Sequence, residues 1–184
     1  MASNNFDNKL YIICGSKGRG KTTMCTKVLT NSINKGLRPI IYDVRRDYLK
    51  QYNKPFLPKK EFMEKEILPA KKSVILLEES TIFFPNTSKD SVLYDKIIAM
   101  RYDENDIILV YHSLRSIPSY ILEQGDFLIL FKTSDNYAYI NSKFRGNDDV
   151  LECFESVQEK AGDDTNKKGD KINDFNYKEI ISLL

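Results

Sequence analysis

Eight residues, Gly15-Ser16-Lys17-Gly18-Arg19-Gly20-Lys21-Thr22, constrain this chain more than any other stretch. They match the pattern G-x-x-x-x-G-K-[ST] in full. They stand between an apolar run, Leu10-Tyr11-Ile12-Ile13-Cys14, and a stretch that reads as a helix from Lys21 to about Asn34, the strand-loop-helix setting the pattern requires. Glycines at 15, 18 and 20 let the backbone turn with positive φ and bring successive N–H groups against a polyphosphate with no Cβ in the way. The helix N-terminus adds partial positive charge, Lys21 is placed to reach β- and γ-phosphates, and the Thr22 hydroxyl is placed to bind Mg²⁺. With Ser16, Lys17, Arg19 and Thr23, these residues form the candidate phosphate-binding set.

At 184 residues and 41% hydrophobic, the chain can bury one core of ordinary domain size. The formal net charge of +2 argues neither for nor against a nucleic-acid partner, so any such case rests on local clusters. The best cluster is the tract Arg45 to Lys72, rich in Arg and Lys and interleaved with Tyr48, Tyr52, Phe56 and Phe62. A solvated helix face and a phosphate-tracking surface both explain it. Cys14, Cys25 and Cys153 have neither C-x-x-C pairing nor histidine spacing, so they read as small core residues rather than a zinc site or disulfide framework. The N-terminal residues lack a basic and an apolar signal region, and no run approaches a membrane span. A soluble, cytoplasmic protein is expected.

Beyond the first helix, Lys35-Gly36 reads as a stop, and Pro39-Ile40-Ile41-Tyr42-Asp43 as a buried strand ending in a carboxylate. Strand, crossover helix and strand imply a βαβ unit and a mainly parallel sheet. Helices are expected at Lys60 to Ile67, Lys89 to Arg101, Pro118 to Gln124 and Asp148 to Lys160; Phe127 to Phe131 reads as a strand. Asn136-Tyr137-Ala138-Tyr139-Ile140 alternates like a half-exposed antiparallel edge strand. The fold class is therefore α/β, a three-layer sandwich whose mainly parallel central sheet has about five strands plus an antiparallel edge. Residues 1–160 form the expected domain and 161–174 a flexible polar linker. Residues 175–184 are a short apolar segment that either folds back or docks on a partner.

Ser73-Val74-Ile75-Leu76-Leu77-Glu78-Glu79-Ser80 is the second site-forming stretch, a strand buried on both faces whose tip delivers two acids toward the phosphate loop. Glu78 is assigned to the Mg²⁺ shell through water, Glu79 to orienting or deprotonating an attacking water. Asp is the commoner residue at the Mg²⁺-side position, which leaves the division of labour between the two carboxylates open. A further stretch, Asp106 to Ser113, reads as an apolar strand ending in polar groups, among them His112, the only histidine. At a strand exit His112 reads either as structural or as a γ-phosphate sensor.

The order of these pieces carries a resemblance. The phosphate loop is followed by Asp43-Val44-Arg45-Arg46-Asp47-Tyr48, then by Glu78 to Pro85, Met100-Arg101-Tyr102, and Asp106 to Pro118. From Leu10 to Phe131 the chain resembles the FtsK-HerA superfamily of P-loop NTPases, nearest to compact viral genome-packaging ATPases and Zot-like phage proteins. The resemblance implies an ATP-driven translocase of double-stranded DNA, with ATP and Mg²⁺ as cofactors. It also implies a homo-oligomeric ring, usually a hexamer, in which an arginine of one subunit reaches the γ-phosphate held by the next. Arg101, Arg115 and Arg145 are the candidates for that arginine. His112 stands where such families often have Gln after the strand. A capsid or portal partner and a place in the host cytoplasm or virion follow if the chain is viral; the absence of a membrane anchor favours packaging over secretion. A small-molecule kinase and a nucleotide-binding assembly protein stay open on the same fold.

Overall fold

The computed structural model describes residues 8–52, 55–84, 92–100, 102–161 and 178–183. The apolar runs become strands: β1 (Leu10–Cys14), β2 (Arg38–Tyr42), β3 (Ser73–Leu77), β4 (Asp106–Tyr111) and β5 (Phe127–Phe131). All five run parallel, and β6 (Lys178–Ser182) joins β5 antiparallel, giving one sheet in the order β2-β3-β4-β1-β5-β6. Although β1 and β2 are joined by a single helix, β4 and β3 lie between them.

Unbroken apolar runs suit strands covered on both faces, and side-chain alternation divides them into two cores. Ile13, Ile41, Leu76, Ile108 and Val110 face α1 (Lys21–Asn34), meeting its Cys25, Val28 and Leu29, with Tyr48 of α2 (Asp47–Gln51) alongside. Leu10, Ile12, Ile40, Leu77, Leu109 and Leu128 face the opposite layer. That layer comprises α3 (Lys59–Phe62) with the π-turn Met63–Ile67 continuing it, α4 (Ser80–Phe83), α5 (Val92–Ala99), α6 (Ser119–Leu122), α7 (Tyr137–Lys143) and α8 (Asp148–Lys160). Each fully buried Leu or Ile contributes about 1.5–3 kcal/mol before the entropy of ordering is set against it.

Buried carboxylates fix the sheet's lower edge. Asp126 accepts from the Leu10 N–H at 2.7 Å, and Asp106 accepts from the Lys9 N–H at 2.9 Å and the Ser32 hydroxyl at 2.5 Å. Ser32 belongs to the far end of α1, so the helix is tied to β4 at that end and to the phosphate loop at the other.

Two expectations change. Asn136 to Ile140 is not the edge strand: Tyr137–Lys143 is helical, with the Asn136 side chain accepting from the Ala138 and Tyr139 N–H groups as its N-cap. Ile140 and Phe144, one helical turn apart, are both buried, whereas Tyr137 and Tyr139 are exposed. The antiparallel edge is instead β6, from the C-terminal segment, which folds back with Lys178 opposite Phe131 and Ile181 opposite Leu128. Nearly all of the expected linker, and residues 89–91 and 101 of the expected Lys89 to Arg101 helix, lie outside the described residues.

Candidate functional site at the carboxyl ends of the parallel strands

Loop 15–20 leaves β1 between the ends of its two neighbours. The Gly15 N–H donates to the Tyr111 carbonyl at the end of β4 (3.1 Å), and the Ser16 N–H donates to the Lys132 carbonyl just past β5 (2.9 Å). The approach to β5 explains the first glycine: a Cβ at position 15 would stand 2.6 Å from the Cβ of Phe131, closer than two carbons can come. Gly20 supplies the left-handed turn into α1 at φ 92°, where a side chain would be strained. No side chain caps α1, so the first-turn N–H groups of this fourteen-residue helix stay available to an anion.

Lys21 is 7% exposed and donates its Nζ to the carbonyls of Gly15 (2.6 Å) and Ser16 (2.9 Å), which arches the loop around the ammonium. Burial pulls its pKa below the ordinary lysine value. Lys17, Thr22 and Thr23 are exposed, and Ser16 and Arg19 are half-buried.

Glu78 and Glu79 lie at the exit of β3, but in different surroundings. Glu78 is 6% exposed, its N–H donates to the Tyr42 carbonyl at 3.0 Å, and its Oε2 is buried with no hydrogen-bond partner. Burial raises its pKa to about 7 against the pull of the Arg45 guanidinium, with Glu79 and Asp43 adding repulsion and Lys21 attraction. Glu79 is half-buried, and its Oε1 lies 2.9 Å from Nε2 of His112 at the exit of β4. The Ser80 hydroxyl sets this spacing, donating to the Leu77 carbonyl and accepting from the Val110 N–H, both at 2.9 Å. Just after His112 in the chain, the Ser113 hydroxyl (2.5 Å) and the Leu114 N–H (2.7 Å) donate to Asp135.

The structure thus brings Lys21, Glu78, Glu79 and His112 to one edge of the sheet. It also adds Arg45, which the sequence placed in the basic tract and in the segment Asp43 to Tyr48 without a role in the site. Asp43 accepts from the Arg45 and Tyr48 N–H groups at 2.9 and 2.7 Å, folding the β2 exit so that Arg45 acts on both Glu78 and Lys21. The Asp-x-Arg spacing was the available signal. Within the same tract, Arg46 lies 5.4 Å from the Phe56 ring centre and Lys59 lies 5.4 Å from that of Phe83. Arg115 is exposed, its Nε 3.8 Å from Asp135, and Arg145 is exposed in the turn after α7; Arg101 lies outside the described residues.

The cysteines are buried and unbridged, as core residues, and burial pushes Cys25 and Cys153 up to about 12. Among the described residues, no group of three or more His, Cys, Asp or Glu is placed to hold a metal unaided, and no helix is long and apolar enough to cross a membrane.

The buried charge of Glu78 has a testable cost. Its folded pKa of about 7 lies above the ordinary 4.5, so the penalty is absent below the ordinary value, grows between the two, and is complete above the folded one. Measured without nucleotide, Glu78→Gln is expected to stabilise the chain by about 1–3 kcal/mol at about pH 8 and by much less at about pH 5. At about 2–4 °C per kcal/mol, thermal unfolding at the two pH values resolves the difference, and an equal change at both would contradict it.

Residues 2–76 match the family model described as the type IV secretion-system coupling protein DNA-binding domain. No curated protein matches the sequence. B204, the DNA-packaging ATPase of Sulfolobus turreted icosahedral virus, aligns with 82% of this chain and 87% of its own at a TM-score of 0.66 and 19% identity. The genome packaging NTPase B204 of Sulfolobus turreted icosahedral virus 2, in complex with AMPPCP, aligns over 80% of this chain and 88% of its own, with a TM-score of 0.63 and 16% identity. The same protein in complex with ATP-gammaS gives 0.62 and 15%, over 80% and 87%. These matches agree with the resemblance carried by Gly15 to Thr22 and the segments after it: the chain has the P-loop NTPase fold.

Proposed function

We propose that this chain is an ATP-hydrolysing translocase of double-stranded DNA, a viral genome-packaging motor that works as a homo-oligomeric ring. The observation that carries the reading is the placement of a buried lysine in a phosphate loop beside two acids of unlike environment, one of them held by a histidine from the intervening strand. A nucleotide-binding assembly protein has no need of that second, histidine-held acid. The matched coupling-protein domain is described as DNA-binding and the B204 structures as DNA or genome packaging, which supports DNA as the substrate of the motor.

In this reading the N–H groups from Lys17 to Thr23 cradle the phosphates, and Lys21 exchanges its two carbonyl partners for β- and γ-phosphate oxygens. Thr22 and Glu78 would hold Mg²⁺, which supplies charge neutralisation between the phosphates. The residues fit that ion: both are hard oxygen donors, and Glu78 Oε2 is a buried oxygen with no other partner. Its remaining ligands would be phosphate and water. Glu79 takes the proton of the attacking water, and His112 orients Glu79 and reads the γ-phosphate. An arginine among Arg101, Arg115 and Arg145 would complete the neighbouring subunit's site. Arg45, Arg46 and Lys59 lie beside the same edge and suit the DNA backbone. A capsid or portal protein is the expected docking partner.

Phosphate release measured over a range of protein concentrations, with and without double-stranded DNA, tests this. A steep rise with concentration together with stimulation by DNA is expected. Hydrolysis indifferent to both, or transfer of phosphate to a small acceptor, would overturn the motor in favour of an assembly protein or a kinase.

A further inference from the structure

We propose that Asp135 is a positioning residue for the hydrolytic site: its buried carboxylate holds the loop that follows His112, and through that loop holds the imidazole against Glu79. The inference rests on the reading of Glu79 as the acceptor of water's proton and deepens it. Asp135 lies beyond β5 in the turn before α7, and its side chain is only 3% exposed. One carboxylate oxygen accepts from the Ser113 hydroxyl at 2.5 Å and stands 3.8 Å from Nε of Arg115, while the other accepts from the Leu114 N–H at 2.7 Å. The three residues that follow His112 in the chain therefore converge on one buried acid.

The imidazole needs such support. Its side chain is 38% exposed, so packing alone does not fix its direction, and the 2.9 Å contact with Glu79 depends on the backbone that carries it. That backbone is held on several sides. Ser116 donates its N–H (3.1 Å) and its hydroxyl (2.6 Å) to the Ser113 carbonyl, and Leu114 is fully buried in the core. At the other end of α7, Lys143 donates its Nζ to the carbonyls of Arg115 and Ile117. The helix thus grips the loop from both ends, and Asp135 is the grip nearest His112 in the chain. Hydrogen bonds of these lengths to a charged acceptor are about twice as strong as neutral ones. A turn that needed only closing is served by a neutral acceptor, without the cost of burying a charge. Rigid placement is what a hydrolytic site requires, since a shift of about 1 Å in a reacting group costs on the order of a hundredfold in rate.

A double-mutant cycle in steady-state ATP hydrolysis by the full chain tests this, together with imidazole nitrogen NMR, which reports His112 alone because it is the only histidine. Asp135→Asn is expected to lower kcat about 5–20-fold with KM for ATP within about twofold, and His112→Ala to lower kcat about 10–100-fold. The double variant is expected to match His112→Ala within about twofold, because the effect of Asp135 passes through the imidazole. Without nucleotide, Asp135→Asn is expected to move the His112 Nε2 resonance toward its position in Glu79→Ala. If Asp135→Asn unfolds at markedly lower temperature, Ser113→Ala, which removes one donor and keeps the carboxylate, decides the matter with the same expected pattern. An unchanged kcat, losses that multiply in the double variant, or an unmoved imidazole resonance would overturn the proposal while leaving the role of Glu79 intact. Absence of ATP hydrolysis by wild type would remove the reading on which it rests, and the proposal with it.

Discussion

Lys21→Ala is expected to abolish ATP turnover and to weaken ATP binding by a hundredfold or more. The ammonium is nearly buried, and the fold holds it against the Gly15 and Ser16 carbonyls of the loop. Two charge-assisted hydrogen bonds to phosphate oxygens, at about 1.5–3 kcal/mol each, account for a loss of that order. The same substitution also removes the donor to the Gly15 and Ser16 carbonyls, so some loss of stability accompanies it. Thermal unfolding separates the two effects: a variant that melts near wild type yet neither binds nor hydrolyses has lost the phosphate contact, not the fold. Nucleotide binding near the wild-type level would contradict the placement of the triphosphate in this loop.

Glu79→Gln is expected to do something different, keeping ATP affinity within about threefold while lowering turnover by about a hundredfold or more. Glutamine keeps the shape and can still hydrogen-bond His112, but it cannot accept a proton from water. The argument for Glu79 over Glu78 is environmental. Glu79 is half-buried and held at 2.9 Å by His112, whereas Glu78 is buried, with an unpartnered oxygen and Lys21 and Arg45 as its favourable charges. The first suits a group that meets water, the second a group that meets a cation. Should Glu78→Gln stop turnover while Glu79→Gln leaves it unchanged, the two assignments are reversed.

The phosphate loop was legible in the sequence because its chemistry leaves little choice: Gly15 must let Phe131 approach, and Gly20 must turn left-handed into a helix. The parallel strands were legible for a related reason, since runs such as Val74 to Leu77 and Ile107 to Tyr111 are apolar throughout only when both faces are covered. Where a short segment supports two periods, the sequence misled. Tyr137-Ala138-Tyr139-Ile140 alternates, but the spacing of Ile140 and Phe144 and the capping Asn136 decide for a helix. The role of Lys178–Ser182 was not legible, because an antiparallel edge pairing with β5 is a long-range contact that no local pattern encodes. The action of Arg45 on Glu78 was hidden for the same reason: it requires the β2 exit to fold back around Asp43. The unequal surroundings of Glu78 and Glu79, adjacent in sequence, arise only from packing.

The most direct measurement is a time course of phosphate release from Mg·ATP by wild type, Lys21→Ala and Glu79→Gln, purified side by side, with bound nucleotide measured in the same samples. The account predicts release by wild type alone, bound ATP without release in Glu79→Gln, and neither binding nor release in Lys21→Ala. Equal release by all three proteins would contradict it, because the hydrolysis would then belong to something other than this loop and these carboxylates.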